Sequence, residues 1–284
     1  MRTLWGSWAA AILLGLVPGI VPGLAARAVA ADAPLPIVDA HLHYSQPAWS
    51  AYPPAAVLAL MDQAGVSRAI ASSTPDDGTL ALHRLAPARI VPFLRPYRGT
   101  VGSSNWTDDP TLPAYLEERL QRGIYRGIGE FHLWGPEVQA ANVRHVVALA
   151  VQRGLLVQVH SGAEPVRALF AIDPQVQVLW AHAGMSEPPS VIGALLDQQA
   201  RLWCEVSFRA GDIAPGGKLD GAWRALFLRH PGRFLIGSDT YTTARWEGYG
   251  ELIAEHRRWL AQLPREAAEA IAHRNATRLL GEAR

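Results

Sequence analysis

The chain holds one cysteine, Cys204, and one lysine, Lys218, in 284 residues. A single thiol excludes an intramolecular disulfide and any zinc or iron–sulfur site built from several cysteines. No sign of charge dominates, because 26 basic residues face 25 acidic ones. Such a chain lacks the field that grips a nucleic-acid backbone, and no nucleic-acid partner is expected. There is no G-x-S-x-G elbow, so a serine hydrolase is unsupported. The stretch Gly211–Leu219 ends like a phosphate loop but lacks the leading glycine and a Ser or Thr after Lys218. Gly127-x-Gly129 meets His132 where a dinucleotide fingerprint needs its third glycine.

What is present fits a folded protein with a large core: 49% of residues are hydrophobic and 18% charged. Residues 1–30 read as an export signal. Arg2 opens it, Trp8 to Val17 is a short apolar run, Pro18 and Pro22 break any helix, and Ala28-Val29-Ala30 offers a small-x-small cleavage site. The alternative, a membrane anchor, calls for an unbroken span of about 20 apolar residues. Cleavage after Ala30 removes Arg2 and Arg27 and leaves 24 basic against 25 acidic residues. The expected product, residues 31–284, is an exported protein, periplasmic or secreted, without stable membrane association. Its oligomeric state is not legible.

From Leu35 onward, β-branched runs alternate with helical spacing. The predicted strands are Ile37–His41, Arg68–Ser72, Ile90–Leu94, Gly127–His132, Leu155–His160, Val176–His182, Arg201–Val206 and Arg233–Ser238. Helical patterns include Leu112–Arg122, Val138–Arg153 and Trp246–Leu263. Eight strand–helix units in about 250 residues predict an α/β protein with a single (β/α)8 barrel. The longest irregular stretch, Pro96 to Pro113, follows the third strand, where a barrel carries active-site loops.

A buried parallel strand is apolar throughout, so polar residues at its C-terminal end need a reason. They recur here as His41, His43, Arg95, Glu130, His132, His160, His182 and Asp239. The C-terminal strand ends of a (β/α)8 barrel open on one mouth, and four of these five histidines with the two carboxylates make a metal-site composition there. His41 and His43 share a face at a backbone spacing of roughly 6.5–7 Å. Glu130, flanked by Gly129, is costly to bury without a cation; the competing partner is an arginine, Arg95 or Arg126. Asp239 can bind metal and take a proton from water, or else cap the next helix. His132 shares the face of Glu130 and reads as a pocket residue. Arg95 can hold a substrate carboxylate or phosphate, and Trp134, with Tyr44, Trp106 and Tyr241, can line the mouth. Cys204 reads as a small core residue.

The order HxH, Glu, His, His, Asp on successive strands resembles the amidohydrolase superfamily, most closely its amidohydrolase-related (amidohydrolase 2) group. The segment Ile271–Gly281 is similar to that group's closing helix. The resemblance spans Ile37 to Gly281 and implies a metal-dependent hydrolase of a small molecule, with one or two divalent ions, zinc being expected. Lys218 lies in a glycine-rich loop, so a carboxylated lysine bridge looks closed, and Glu130 can play the bridging part instead, as in TatD-like and some related branches. In the two-metal form His41, His43 and Asp239 hold one ion and His160 and His182 the other, with Glu130 between. In the one-metal form His160 joins His41, His43 and Asp239, while His182 is an acid or orienting group. The implied chemistry is hydrolysis of an ester, lactone, amide or phosphoester bond, with Asp239 and His182 catalytic. Decarboxylation or hydration on the same metal, and a non-catalytic binding barrel, are the alternatives.

Overall fold

Because each strand pattern is apolar on both faces, each needs cover on both sides, and a closed barrel inside a ring of helices supplies it. In the computed structural model, which describes Gly6 and residues 34–281, the eight strands are all parallel and lie in chain order. Apart from Gly6, the export-signal reading of residues 1–30 lies outside the described residues. The strands are β1 (Ile37–Leu42), β2 (Val66–Ala71), β3 (Ile90–Leu94), β4 (Gly127–His132), β5 (Leu156–His160), β6 (Gln177–Trp180), β7 (Leu202–Glu205) and β8 (Phe234–Leu235). A bridge between Asp39 and Ile236 returns β8 to β1, the Ala40 amide donating to the Ile236 carbonyl at 2.7 Å. The fold is a (β/α)8 barrel.

Alternation sorts the side chains into two layers. Val38, Ala40, Ile70, Val91, Phe93, Leu156, Leu179 and Leu235 fill the barrel interior, joined at its base by Ala276 and Leu280 of the last helix, Asn275–Leu280. Their neighbours Ile37, Leu42, Ala69, Ala71, Leu94, Val157, Val159 and Val178 pack outward against the helices. Within this interior layer Gln158 of β5 is buried, its Nε2 donating to the Ala40 carbonyl at 3.3 Å, and the imidazoles and Glu130 lie at the C-terminal ends.

Two β-bulges place them there. Asp39 and Leu42 pair with Ala69 and Ala71, three steps on β1 against two on β2. Ile128 and Phe131 likewise pair with Val157 and Val159. Each extra residue inverts the alternation. Above the bulges Leu42 and Phe131 face the helices, and His41, His43, Glu130 and His132 turn inward.

Most predicted elements coincide with observed ones, and the departures fall at their ends. The patterns at Val138–Arg153 and Trp246–Leu263 each break once. A 3-10 turn, Gly135–Gln139, precedes the helix Ala141–Arg153 because Ala140 is extended. Gly248 separates Thr243–Glu247 from Tyr249–Leu260. Inside Pro96–Pro113 an isolated bridge between Arg98 and Val101 and a short turn, Trp106–Asp108, form before the helix Leu112–Leu120. β6 stops at Trp180, two residues short of His182, since His182 and Ala183 adopt left-handed φ angles of 56° and 46° that no ladder accommodates. Cys204 is buried in β7.

Gly129 makes the β4 bulge possible. Its φ is +132°, and a Cβ there would lie 2.2 Å from the Gln158 carbonyl oxygen on β5. Urea denaturation of Gly129→Ala is expected to show a loss of about 3 kcal/mol, whereas a loss under about 0.5 kcal/mol would mean that β4 and β5 do not approach this closely.

Candidate metal centre

The bulges, the end of β5 and the turns after β6 and β8 bring all six sequence-predicted ligands to one place. The Nε2 atoms of His41 and His43 lie 3.0 Å apart. Glu130 Oε2 is 3.2 Å from His43 Nε2 and 3.6 Å from His41 Nε2. Asp239 Oδ1 is 3.3 Å from His43 Nε2 and 3.6 Å from His41 Nε2. The other oxygen of Glu130, Oε1, faces a second pair: His160 Nδ1 at 3.2 Å and His182 Nε2 at 3.6 Å. Asp239 Oδ2 lies 3.8 Å from His182 Nε2. All but His160, which is partly exposed, are buried.

Three imidazoles are oriented through Nδ1, which leaves Nε2 directed inward. His41 Nδ1 pairs with Glu205 Oε1 at 2.9 Å. His43 Nδ1 donates to the Ser72 carbonyl. His182 Nδ1 meets the Ser207 hydroxyl at 2.8 Å, and that hydroxyl donates to Glu205 Oε1 at 2.9 Å. Such outer partners fix the tautomer and ring angle of metal-binding histidines. Asp239 is aimed by backbone: its φ is 47°, its amide donates to the His41 carbonyl at 2.6 Å, and Arg245 donates to the Ser238 and Asp239 carbonyls at 2.6 Å each.

The electrostatics favour a cation. Burial alone would lower the pKa of His41, yet the carboxylates of Asp239, Glu205 and Glu130 hold it well above the ordinary imidazole value. Burial alone would raise Glu130, but His41, the hydrogen bond from His160 and the His182 ring facing it keep it well below the usual carboxylate range. Against the same burial, His41 and His43 lower Asp239, and His41 and His182 bring Glu205 down to about 2. Without a cation, a proton on His41 stands in for positive charge among three ionised acids.

The donor set also fits a metal ion. Ligands about 2.05 Å from a tetrahedral ion lie about 3.3 Å from one another. Five of the six edges among His41 Nε2, His43 Nε2, Glu130 Oε2 and Asp239 Oδ1 measure 3.0, 3.2, 3.3, 3.6 and 3.6 Å. Two buried atoms directed into this space, His182 Nε2 and Asp239 Oδ1, have no hydrogen-bond partner, a state that costs free energy unless something binds there.

A family profile described as amidohydrolase matches residues 38–281. The chain belongs to the amidohydrolase family. No curated protein sequence matches it. Solved structures similar to it include a candidate 2-pyrone-4,6-dicarboxylic acid hydrolase from Pseudomonas putida, at 18% identity over 87% of this chain and 98% of that one, TM-score 0.62. A TatD homologue from Escherichia coli K12 is similar at 18% identity over 86% and 97%, TM-score 0.60. The N-acetyl-D-glucosamine-6-phosphate deacetylase of Mycobacterium smegmatis is similar at 20% identity over 88% and 76%, TM-score 0.59. Identities this low speak to the fold, and family membership marks the chain as a hydrolase.

The remaining predicted residues of this amidohydrolase surround the centre. Arg95, assigned by its position to the substrate, donates through NH2 to Glu130 Oε2 at 2.9 Å and through Nε to the Glu130 carbonyl at 3.1 Å, and stacks on Tyr97. The arginine partner anticipated as an alternative for Glu130 is therefore present, on the same carboxylate that faces the imidazoles. Arg126, the other arginine considered, is exposed. His132 stacks on His160 at 4.4 Å, and its Nδ1 lies 3.0 Å from the Tyr97 hydroxyl; burial lowers its pKa to about 4. Trp134 is exposed, 6.2 Å from the His160 ring. Tyr44 and Trp106, considered as mouth residues, are buried in the outer core, whereas Tyr241 is exposed.

Glu205 was missed by the sequence reading. It is wholly buried on β7, touches His41, and also accepts the His182 and Ser207 amides at 2.7 and 2.9 Å. The signal was available, since an acid inside the apolar run Arg201–Val206 violates the same expectation that singled out Glu130. Gly237 gives it room, as a Cβ there would lie 2.0 Å from Glu205 Oε2.

Zinc entering the amidohydrolase must displace the His41 proton, so affinity rises with pH and proton is released on binding near pH 7. Calorimetry of the metal-free protein in buffers of different ionisation heat should show that release, and Glu205→Gln should weaken zinc binding about 10- to 100-fold. Zinc affinity independent of pH, or untouched by Glu205→Gln, would contradict this account of the centre.

Proposed function

We propose that this amidohydrolase is an exported enzyme that uses metal-activated water to cleave an ester, lactone, amide or phosphoester bond of a small molecule. The observation that carries the reading is the convergence of His41 Nε2 and His43 Nε2 on carboxylate oxygens of Glu130 and Asp239 at 3.2–3.6 Å, with a second carboxylate oxygen of Glu130 turned to His160 and His182. His41, His43, Glu130 and Asp239 would hold one ion, and Glu130 with His160 and His182 would hold a second. Zinc suits ligands of imidazole and carboxylate. When bound, such an ion polarises the scissile oxygen and brings the pKa of its water from about 15.7 to near 7.

The chain's own groups supply the rest. Asp239 is ionised at neutral pH, held there by His41 and His43 against the effect of burial. Its other oxygen, Oδ2, which the donor set leaves unused, can accept the proton of the attacking water, and the same carboxyl can return it to the leaving group. His182, whose ring is anchored through Ser207 and Glu205, sits across the centre to hold an ion or orient the leaving group. Arg95 keeps Glu130 in place through two hydrogen bonds.

Export is supported by the signal pattern of residues 1–30, and no described helix is long and apolar enough to cross a membrane.

Metal analysis of purified protein after loading with zinc tests the centre. About two ions per chain are expected, falling to one or fewer in Glu130→Gln, and Asp239→Asn should cut hydrolysis by about 10²–10⁴ while retaining metal. Equal metal content in wild type and Glu130→Gln would remove Glu130 from the site.

A further inference from the structure

Five non-glycine residues among the described ones have left-handed backbones: His182, Ala183, Met185, Phe208 and Asp239, all in the turns that follow β6, β7 and β8. Two of them carry large apolar side chains that the fold does not bury, Phe208 at 42% and Met185 at 38% exposure. Tyr241 and Trp134 are 56% and 49% exposed. An exposed ring on a strained backbone adds nothing to folding, and strain of this kind collects at sites of function. The rings form a continuous arc. Tyr241 lies 6.0 Å from Phe208, Phe208 5.5 Å from His182, His182 4.7 Å from His160, and His160 6.2 Å from Trp134, centroid to centroid. The two imidazoles of the metal centre occupy its middle, and apolar rings stand at both ends.

Charge recognition is spent elsewhere. Three guanidiniums touch the centre or its turns, and each is occupied by the protein. Arg95 serves Glu130. Arg209 donates to Asp212 at 2.8 Å, to the His182 and Ala183 carbonyls at 3.2 Å and to the Glu187 carbonyl at 2.9 Å. Arg245 serves the Ser238 and Asp239 carbonyls and covers Phe208 at 4.0 Å. A substrate carboxylate or phosphate would meet no guanidinium among these three that is without protein partners.

We infer that the mouth accepts an uncharged substrate with a flat aromatic or conjugated ring, held between the Phe208–Tyr241 pair and Trp134, in preference to a carboxylated one. Flat rings gain from edge and offset contacts with such walls, and a few fixed polar groups suffice to orient them. The inference rests on the metal-hydrolase reading, because the ring is placed relative to the ion.

Hydroxamates, which chelate zinc whatever bond the enzyme cleaves, test it by calorimetry on the zinc-loaded protein. Benzohydroxamic acid should bind roughly tenfold more tightly than acetohydroxamic acid, and 4-carboxybenzohydroxamic acid should bind more weakly than benzohydroxamic acid. Trp134→Ala and Tyr241→Ala, both at exposed positions and checked for folding by circular dichroism, should each shrink the benzo-to-aceto ratio. A ratio near one, a ratio unmoved in both variants, or tighter binding of the carboxylated ring overturns the inference while the hydrolase reading stands. Failure of the wild-type protein to retain zinc overturns both.

Discussion

Glu130, Glu205 and Asp239 lie buried among four imidazoles at one end of the barrel, and carboxylates in such a place are held only by matching positive charge. Arg95 reaches one of them, Glu130, and the proton on His41 serves all three. Neither completes the donor set, since His182 Nε2 and Asp239 Oδ1 face the same space unpaired. Divalent cations held here would give those unpaired atoms partners and balance the buried carboxylates, and that requirement would explain the geometry of the mouth.

The scaffold meets the requirement through backbone. Regular β1 and β4 strands would carry their helix-facing and interior residues in strict alternation to the end, and the two bulges break that rule at one level of the barrel. Left-handed turns at His182 and Asp239 do the same work where β6 and β8 end. Asp39 ties the closure together, because its carboxylate accepts the His41 amide, the Ser238 amide and hydroxyl, and the Tyr249 hydroxyl. Burial pushes the pKa of Asp39 up to about 6 despite these four donors. The strand that bears the HxH pair and the turn that bears Asp239 are thereby one unit.

Much of this was legible in the sequence. Apolar runs separated by helical spacing announced the strands, and polar residues at their ends announced the mouth, because neither pattern has another cheap explanation in a buried parallel sheet. The meeting of these imidazoles and carboxylates at one mouth needed only that rule and the shared direction of the strands. What sequence could not convey was local backbone. The bulges at β1 and β4 arise from pairing with β2 and β5, which alternation within one strand does not reveal. Phe208 reads as an ordinary loop residue until its left-handed φ of 63° and its place beside His182 are seen. Arg95 at the end of β3 looks available to a ligand, and only the fold shows its guanidinium on Glu130.

The central claim is a cation at the meeting point of these side chains. Crystals of the zinc-loaded protein, measured on both sides of the zinc absorption edge, test it most directly. The account predicts an anomalous peak enclosed by His41, His43, Glu130 and Asp239. Zinc found only at other positions, with these four side chains bonded to one another as in the metal-free protein, would contradict it.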